Sequence, residues 1–241
     1  MAYGSQPRWT DRSAATQLDI DVGLRDYMLR IYNYMASALA LTGIVAYVAA
    51  MGGRDSFIAH IYHTPLMWLV ILAPFGLVML LSFGIQRLSA PAAQGIFWVY
   101  AALMGLSLST IFLVYTGESI ARVFFITAGT FAAMSFYGYT TRRDLSQFGA
   151  FLFMGLIGIV IASLVNLFVG SSALAFAISV IGVLVFTGLT AYDTQTIKEM
   201  YYEGDGYEMA AKKSIMGALR LYLDFVNLFM MLVQLLGVRR D

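Results

Sequence analysis

The sequence predicts an all-α protein that crosses a membrane seven times, and three observations lead to this fold class. Apolar residues make up 60% of the 241-residue chain and charged residues only 12%, with a mean hydropathy of +0.75. That is too little charge to cover the surface of a soluble protein. The apolar residues also come in long continuous blocks, and in lipid only a helix satisfies the backbone of such a block.

Seven apolar blocks are long enough to cross a bilayer, which takes about 20 residues of helix. Each block is continuously apolar, whereas a transmembrane barrel would show segments of about ten residues that alternate between apolar and polar. In chain order, the predicted spans are 31–51, 66–84, 96–115, 120–139, 148–169, 174–192 and 215–238.

Before the first span, residues 1–25 are polar and of mixed charge. They lack the short apolar core and the small-residue cleavage site of a signal peptide, so we expect a polar cytoplasmic tail. Residues 26–241 form the predicted seven-helix domain. Its connections are short except for 194–214, which carries seven charged residues and is too short for a soluble domain.

Lysine and arginine are unequally distributed between the two ends of the predicted spans. Ten lie on the side of the N-terminus and four on the opposite side, with Arg220 left out because it falls inside a span. The positive-inside rule therefore predicts a cytoplasmic N-terminus and, after seven spans, an external C-terminus.

Charge and composition argue against several function classes. The net charge is +1 and no basic block occurs, so nucleic acid is not an expected partner. Without cysteine the chain has no thiol nucleophile or thiolate metal site. His60 and His63 fall in a polar loop without a third ligand, and no span holds a histidine that could activate a serine. We therefore expect neither an enzyme nor a cofactor.

Two aspartates are the candidate functional residues, because an ionisable group inside a span is costly, by roughly 2.5 to 3.5 kcal/mol for a central aspartate. Asp224 lies about 13 Å into the seventh span. Asp193 lies at the end of the sixth span, which we expect to continue for a turn or two beyond its apolar block. Both approach the membrane from the same side. Their candidate supporting residues are Tyr192, Tyr222 and Asn227.

The spacing leaves two interpretations of these aspartates open. If the carboxyls meet in a low-dielectric site, both cannot be charged cheaply, and they would share one proton and act as a proton switch. Alternatively, Asp224 pairs with Arg220, one turn earlier on the same helix, while Asp193 caps the connection that follows it.

Two segments that contain these aspartates resemble the Bax inhibitor-1 family, the transmembrane Bax inhibitor motif proteins, and particularly its bacterial members. They are FTGLTAYDTQTI at 186–197 and ALRLYLDFVNLF at 218–229. Their order and separation also match, and the seven-span layout extends the resemblance over about residues 26–238.

The resemblance implies a fold in which the seventh helix is central and enclosed by the other six. It also implies that Asp193 and Asp224 form a pH-sensing pair on a calcium pathway, with a calcium leak that opens in a proton-dependent way. Bacterial members place an arginine near the cytoplasmic end of the second helix, against the aspartates, and Arg87 stands at that position here. The implied location is the bacterial cytoplasmic (inner) membrane.

Two functional hypotheses follow. The first is a pH-gated calcium-leak channel, whose partners are the lipid bilayer, calcium ions and protons. The second is a regulator that conducts nothing and binds a membrane-anchored ATP-dependent protease or a stress-response partner. Some members carry a carboxylate in the second helix, whereas 66–84 has none and contains Pro74, which keeps the second hypothesis open. A proton-coupled transporter is disfavoured because no internal repeat is visible.

Overall fold

The computed structural model describes the backbone of residues 9–240 and the side chains of residues 22–53 and 55–240. Within this part of the chain the regular structure is helical, apart from one isolated β-bridge. A short 3-10 turn at Gly53–Asp55 follows the first helix. The α-helices are α1 (Trp9–Ala50), α2 (Phe57–Tyr62), α3 (Leu66–Gly84), α4 (Ala90–Leu108), α5 (Ile111–Val114), α6 (Gly117–Thr140), α7 (Ser146–Val169), α8 (Ser172–Glu199) and α9 (Tyr207–Leu236).

Seven helical segments are long and apolar enough to cross a membrane in the described part of the chain. They are α1 from Val22 onward, α3, α4 together with α5, and each of α6, α7, α8 and α9. The predicted all-α fold with seven spans is thereby confirmed, and the protein is a multi-pass membrane protein.

The last two helices are longer than their apolar blocks. Helix α8 continues to Glu199 and α9 begins at Tyr207, so the connection expected at 194–214 shrinks to 200–206. Both helices continue into charged sequence because long charged side chains at the membrane boundary reach water while the backbone stays hydrogen-bonded. The expectation that the sixth span continues beyond its apolar block is confirmed.

Helix α1 begins at Trp9, inside the segment predicted to be a tail. Residues 1–8 lie outside the described residues, as do the side chains of 9–21. The cytoplasmic tail at 1–25 therefore stays a prediction.

Several helices begin and end at residues suited to that role. The side-chain oxygens of Ser56, Ser89, Thr116 and Ser171 each accept a hydrogen bond from a backbone N–H in the first turn of α2, α4, α6 and α8. Such N-caps satisfy one of the donors that a helix start leaves unpaired. Helix α7 ends at Val169 and is followed by Gly170, whose φ of 66° is left-handed and suits glycine.

Helix α9 is the central helix of the bundle. It is the most buried of the seven spans and packs against α1, α4, α6 and α8. Helix α7 is the least buried and packs on α8. The central seventh span implied by the resemblance is thus what the structure has.

Two glycines allow close helix contacts around this centre. A Cβ added to Gly138 on α6 would overlap the carbonyl oxygen of Ala191 on α8, and one added to Gly105 on α4 would overlap that of Thr42 on α1. Only glycine permits such an approach of one backbone to another. The α6–α8 contact fixes α8 two residues before Asp193.

The C-terminal end of the chain is held against the start of α6. Thr116 N–H donates to Val238 O and Arg240 N–H donates to Val114 O, both at 2.9 Å. Val238 N–H also donates to the buried Ser119 Oγ at 2.8 Å. These bonds satisfy backbone groups that would otherwise be unpaired beyond the end of α9.

Candidate functional site

Asp193 on α8 and Asp224 on α9 lie side by side in the core, with their carboxyl groups within hydrogen-bonding reach of each other. Only 6% of Asp193 and 5% of Asp224 is exposed. Two carboxylates that touch in a buried site repel one another unless a proton lies between them. The structure therefore brings together the two carboxyls whose contact the proton-switch interpretation needs.

The register of α8 against α9 explains how residues at different predicted depths meet. Lys213 Nζ donates to Met200 O at 3.0 Å, so α9 begins well beyond the end of α8. This brings the two aspartates to within about one turn of each other. Because the Cα–Cβ bond tilts toward the N-terminus of a helix, the two side chains on antiparallel helices lean toward each other and close the remaining gap.

Arg220 is the cation beside this pair. Its Nη1 lies 3.6 Å from Asp193 Oδ1, across the interface between α9 and α8. Asp193 Oδ1 and Asp224 Oδ2 accept no hydrogen bond from the described residues. The Arg220 contact is longer than a hydrogen bond and acts through charge. The interpretation that pairs Arg220 with Asp224 is thus replaced by a contact with Asp193.

The resemblance implies that Arg87 lies against the aspartates, but the structure does not place it there. It lies exposed in the turn after α3. The ion pairs of the described side chains include Arg220 with Asp193 and none that involves Arg87. The position of Arg87 along the sequence fixes its level in the membrane but not the direction of its side chain.

The three candidate supporting residues point elsewhere. Tyr222 OH forms a 2.7 Å hydrogen bond with Thr42 Oγ1. Asn227 Nδ2 donates to Leu223 O on its own helix at 2.8 Å. The Tyr192 ring packs closely against Gly149 of α7. They support the packing around the pair rather than its charge.

A polar chain beside the pair was not expected from the sequence. Tyr32 OH is hydrogen-bonded to Ser135 Oγ at 2.6 Å, and Ser135 Oγ to Thr194 Oγ1 at 2.9 Å. Thr194 Oγ1 in turn donates to Thr190 O at 2.7 Å. The chain ties α1 and α6 to α8 next to Asp193. The only local signal was the position of Thr194 beside an aspartate.

The pair has the chemistry of a proton site more than that of a metal site. Two carboxylates offer about four oxygen ligand positions, whereas calcium takes about six to eight. Among the side chains that the structure describes, no cluster of three or more acidic or histidine residues could hold a metal ion. Holding and releasing a proton needs only the two carboxyls themselves.

Comparison with known proteins finds one family and several relatives that match almost the whole chain. The family described as "Inhibitor of apoptosis-promoting Bax1" matches residues 24–241. The chain is 51% identical to "Inner membrane protein YbhL" of Escherichia coli over 222 residues, which cover 90% of this chain and 94% of that protein. It is 52% identical to "Uncharacterized protein RP147" of Rickettsia prowazekii over 225 residues, 92% of this chain and 93% of that protein.

Proposed function

Because the chain belongs to the Bax inhibitor-1 family of membrane proteins, we propose that it is a pH-gated calcium-leak channel of the bacterial inner membrane. The observation that supports the proposal is the contact of two buried carboxyls, Asp193 and Asp224, in the helix pair at the centre of the bundle. The Escherichia coli relative, named an inner membrane protein, supports the inner-membrane location.

The geometry supplies a gate with two protonation states. With one proton shared, the pair carries one negative charge, which attracts Arg220 to Asp193 and holds α9 against α8. A second proton neutralises the pair and removes that attraction. Arg220, 45% exposed, then turns toward water. The proposed direction is therefore opening as the pH falls.

Release of Arg220 also bears on which ions pass. A guanidinium held beside the carboxyls repels an approaching calcium ion, since both are cations and the site has a low dielectric. Moving Arg220 away lowers that barrier at the same time as it loosens α8 from α9. Proton binding and cation passage are coupled through this one side chain.

The test is calcium flux into proteoliposomes that contain the purified full chain and a calcium-sensitive dye, measured between about pH 5 and about pH 8. Flux is expected to rise as the pH falls. Asp193→Asn cannot carry the charge that attracts Arg220, so this variant should leak at every pH. Glu199→Gln removes an exposed carboxylate near the end of the same helix and should behave like the unmodified protein.

Absence of calcium flux at any pH from a folded, correctly inserted protein would overturn the proposed conductance. That result would favour the regulator of a membrane-anchored ATP-dependent protease or stress-response partner, whose effect needs the partner to be present. Flux that is independent of pH in the unmodified protein would overturn the gate but not the conductance.

A further inference from the structure

A cleft of about 490 Å³ opens beside Arg220, between the end of α3, the end of α8 and the first half of α9. Three cationic side chains line it: Lys212, Lys213 and Arg220. Of its lining residues in the described part of the chain, none is acidic. The cleft is large enough for a small ligand, and the charge facing it suits an anion.

The rest of the lining is largely apolar. The apolar part of the wall is formed by Ile85 just after α3, Ile197 of α8, and Met209, Met216 and Leu223 of α9. The α9 members recur at helical spacing with the cations, so one face of this helix presents both kinds of group. A ligand that fills the cleft therefore carries a negative charge next to an apolar portion.

The cations keep hydrogen-bonding capacity that their known contacts do not use. Lys212 Nζ contacts Glu208 at 3.0 Å, and an ammonium has three donors. Arg220 has five donors, and its ion pair with Asp193 is longer than a hydrogen bond. Lys213 already has two partners, an ion pair with Asp205 and a hydrogen bond that it donates to Met200 O. Lys212 and Arg220 are thus the side chains able to bind an additional anion.

The cleft lies at the membrane boundary. Ser82, Ile85 and Gln86 line it where α3 ends, and Met209 lines it in the first turn of α9. Basic pockets between membrane helices at this level bind the phosphate-bearing headgroups of lipids, while acyl chains follow the apolar surface below. A free phosphate would use the cations but not the apolar wall.

We propose that this cleft binds the phosphate group of an anionic phospholipid, held by Lys212 and Arg220, with its acyl chains against the apolar wall. The site lies on the membrane side that carries the α8–α9 connection. The inference goes beyond the proposed conductance, and its test measures lipid binding alone. Either proposal can fail while the other stands.

The experiment is native mass spectrometry of the full chain in a non-ionic detergent, with phosphatidylglycerol or phosphatidylcholine added at equal concentration. The unmodified protein should retain phosphatidylglycerol with about tenfold preference. The double variant Lys212→Gln, Arg220→Gln should lose most of that preference. Lys212→Arg should keep it, because the charge and the donors remain.

Arg142→Gln is the matched control, since Arg142 is exposed on the same membrane side and does not line the cleft. It should bind lipid as the unmodified protein does. If the double variant does not fold, Lys212→Gln alone leaves the aspartate pair intact and should still lower the preference, by about threefold.

Three results would overturn the proposal. Equal retention of the two lipids by the unmodified protein would remove the anion site. If Arg142→Gln lost as much of the preference for phosphatidylglycerol as the double variant does, the preference would come from general attraction between charged surfaces and not from the cleft. Binding of inorganic phosphate added alone, without any preference for phosphatidylglycerol, would assign the cleft to a free phosphate.

Discussion

Arg220 contacts Asp193 on the neighbouring helix, with 3.6 Å between Nη1 and Oδ1, although Asp224 is only four residues away on its own helix. The tilt of helical side chains gives the reason. The Arg220 side chain points toward the start of α9 and the membrane boundary, where Asp193 lies on the antiparallel α8. An ion pair between two helices breaks when the helices move apart. An ion pair within one helix does not depend on that distance.

The first prediction compares the two arginines proposed as countercharge. Arg220→Gln removes the cation that holds α9 against α8 and should let calcium leak with little dependence on pH, because the closed state loses the contact that favours it. Arg87→Gln should leave the midpoint where it is, since Arg87 is exposed and outside the site. The reverse result, a shift of the pH midpoint in Arg87→Gln alone, would make Arg87, in the turn after the second span, the cation that acts on the aspartates.

The second prediction concerns the aspartates as a unit. Asp193→Asn and Asp224→Asn should each abolish the pH dependence of flux, and the double substitution should add little to either. Groups that share a proton titrate together, so removing one leaves the other without its partner. The measurement is flux across pH for all four proteins. Additive effects would show that the carboxyls titrate independently.

The third prediction is the orientation in the membrane. A reporter fused before Met1 should be active in the cytoplasm, and one fused after Asp241 should be active outside it, because lysine and arginine favour the cytoplasmic side. Fusions in the α6–α7 connection at 141–145 provide an internal check and should report the cytoplasm. A cytoplasmic reporter at both ends would contradict seven complete crossings.

The fourth prediction tests the close contact of α6 with α8. Gly138→Ala places a methyl group against the backbone of Ala191 and should lower stability by about 1 to 3 kcal/mol. Gly129→Ala on the same helix meets no neighbouring atom within 4 Å and should be neutral or stabilising by about 0.5 to 1 kcal/mol.

Thermal unfolding of the two glycine variants in detergent, compared under identical conditions, decides this prediction. The pair of alanines differs only in what the added methyl group meets. Equal midpoints for the two variants would mean that α6 and α8 are not in backbone contact at Gly138.

The number of spans could be read from the sequence because each apolar block is long and uninterrupted. The aspartates could be found for a related reason, since ionisable residues in the spans are few. Their contact could not be read, because it depends on how far α9 extends past α8, which a hydrogen bond from Lys213 to Met200 helps to set. The hydrogen bond between Tyr222 and Thr42 could not be predicted either, because the two residues are 180 positions apart in the sequence.

Arg87 shows a different limit. Its place along the chain gives its depth, but a side chain in a turn can point in many directions, and packing decides among them. Arg220 was visible in the sequence from the start. Its contact with Asp193 was not predicted, because the spacing rule for one helix says nothing about a neighbouring helix.

The hydrogen bonds that tie Val238 to Thr116 and Ser119 make the C-terminal end of α9 a pivot point. A stiff helix that is held at one end and released at the other swings about the held end. Along α9, Asp224 is about 18 Å from the last residue of the helix, Leu236, and Lys212 is about 36 Å from it. Any swing about that end therefore moves Lys212 about twice as far as Asp224.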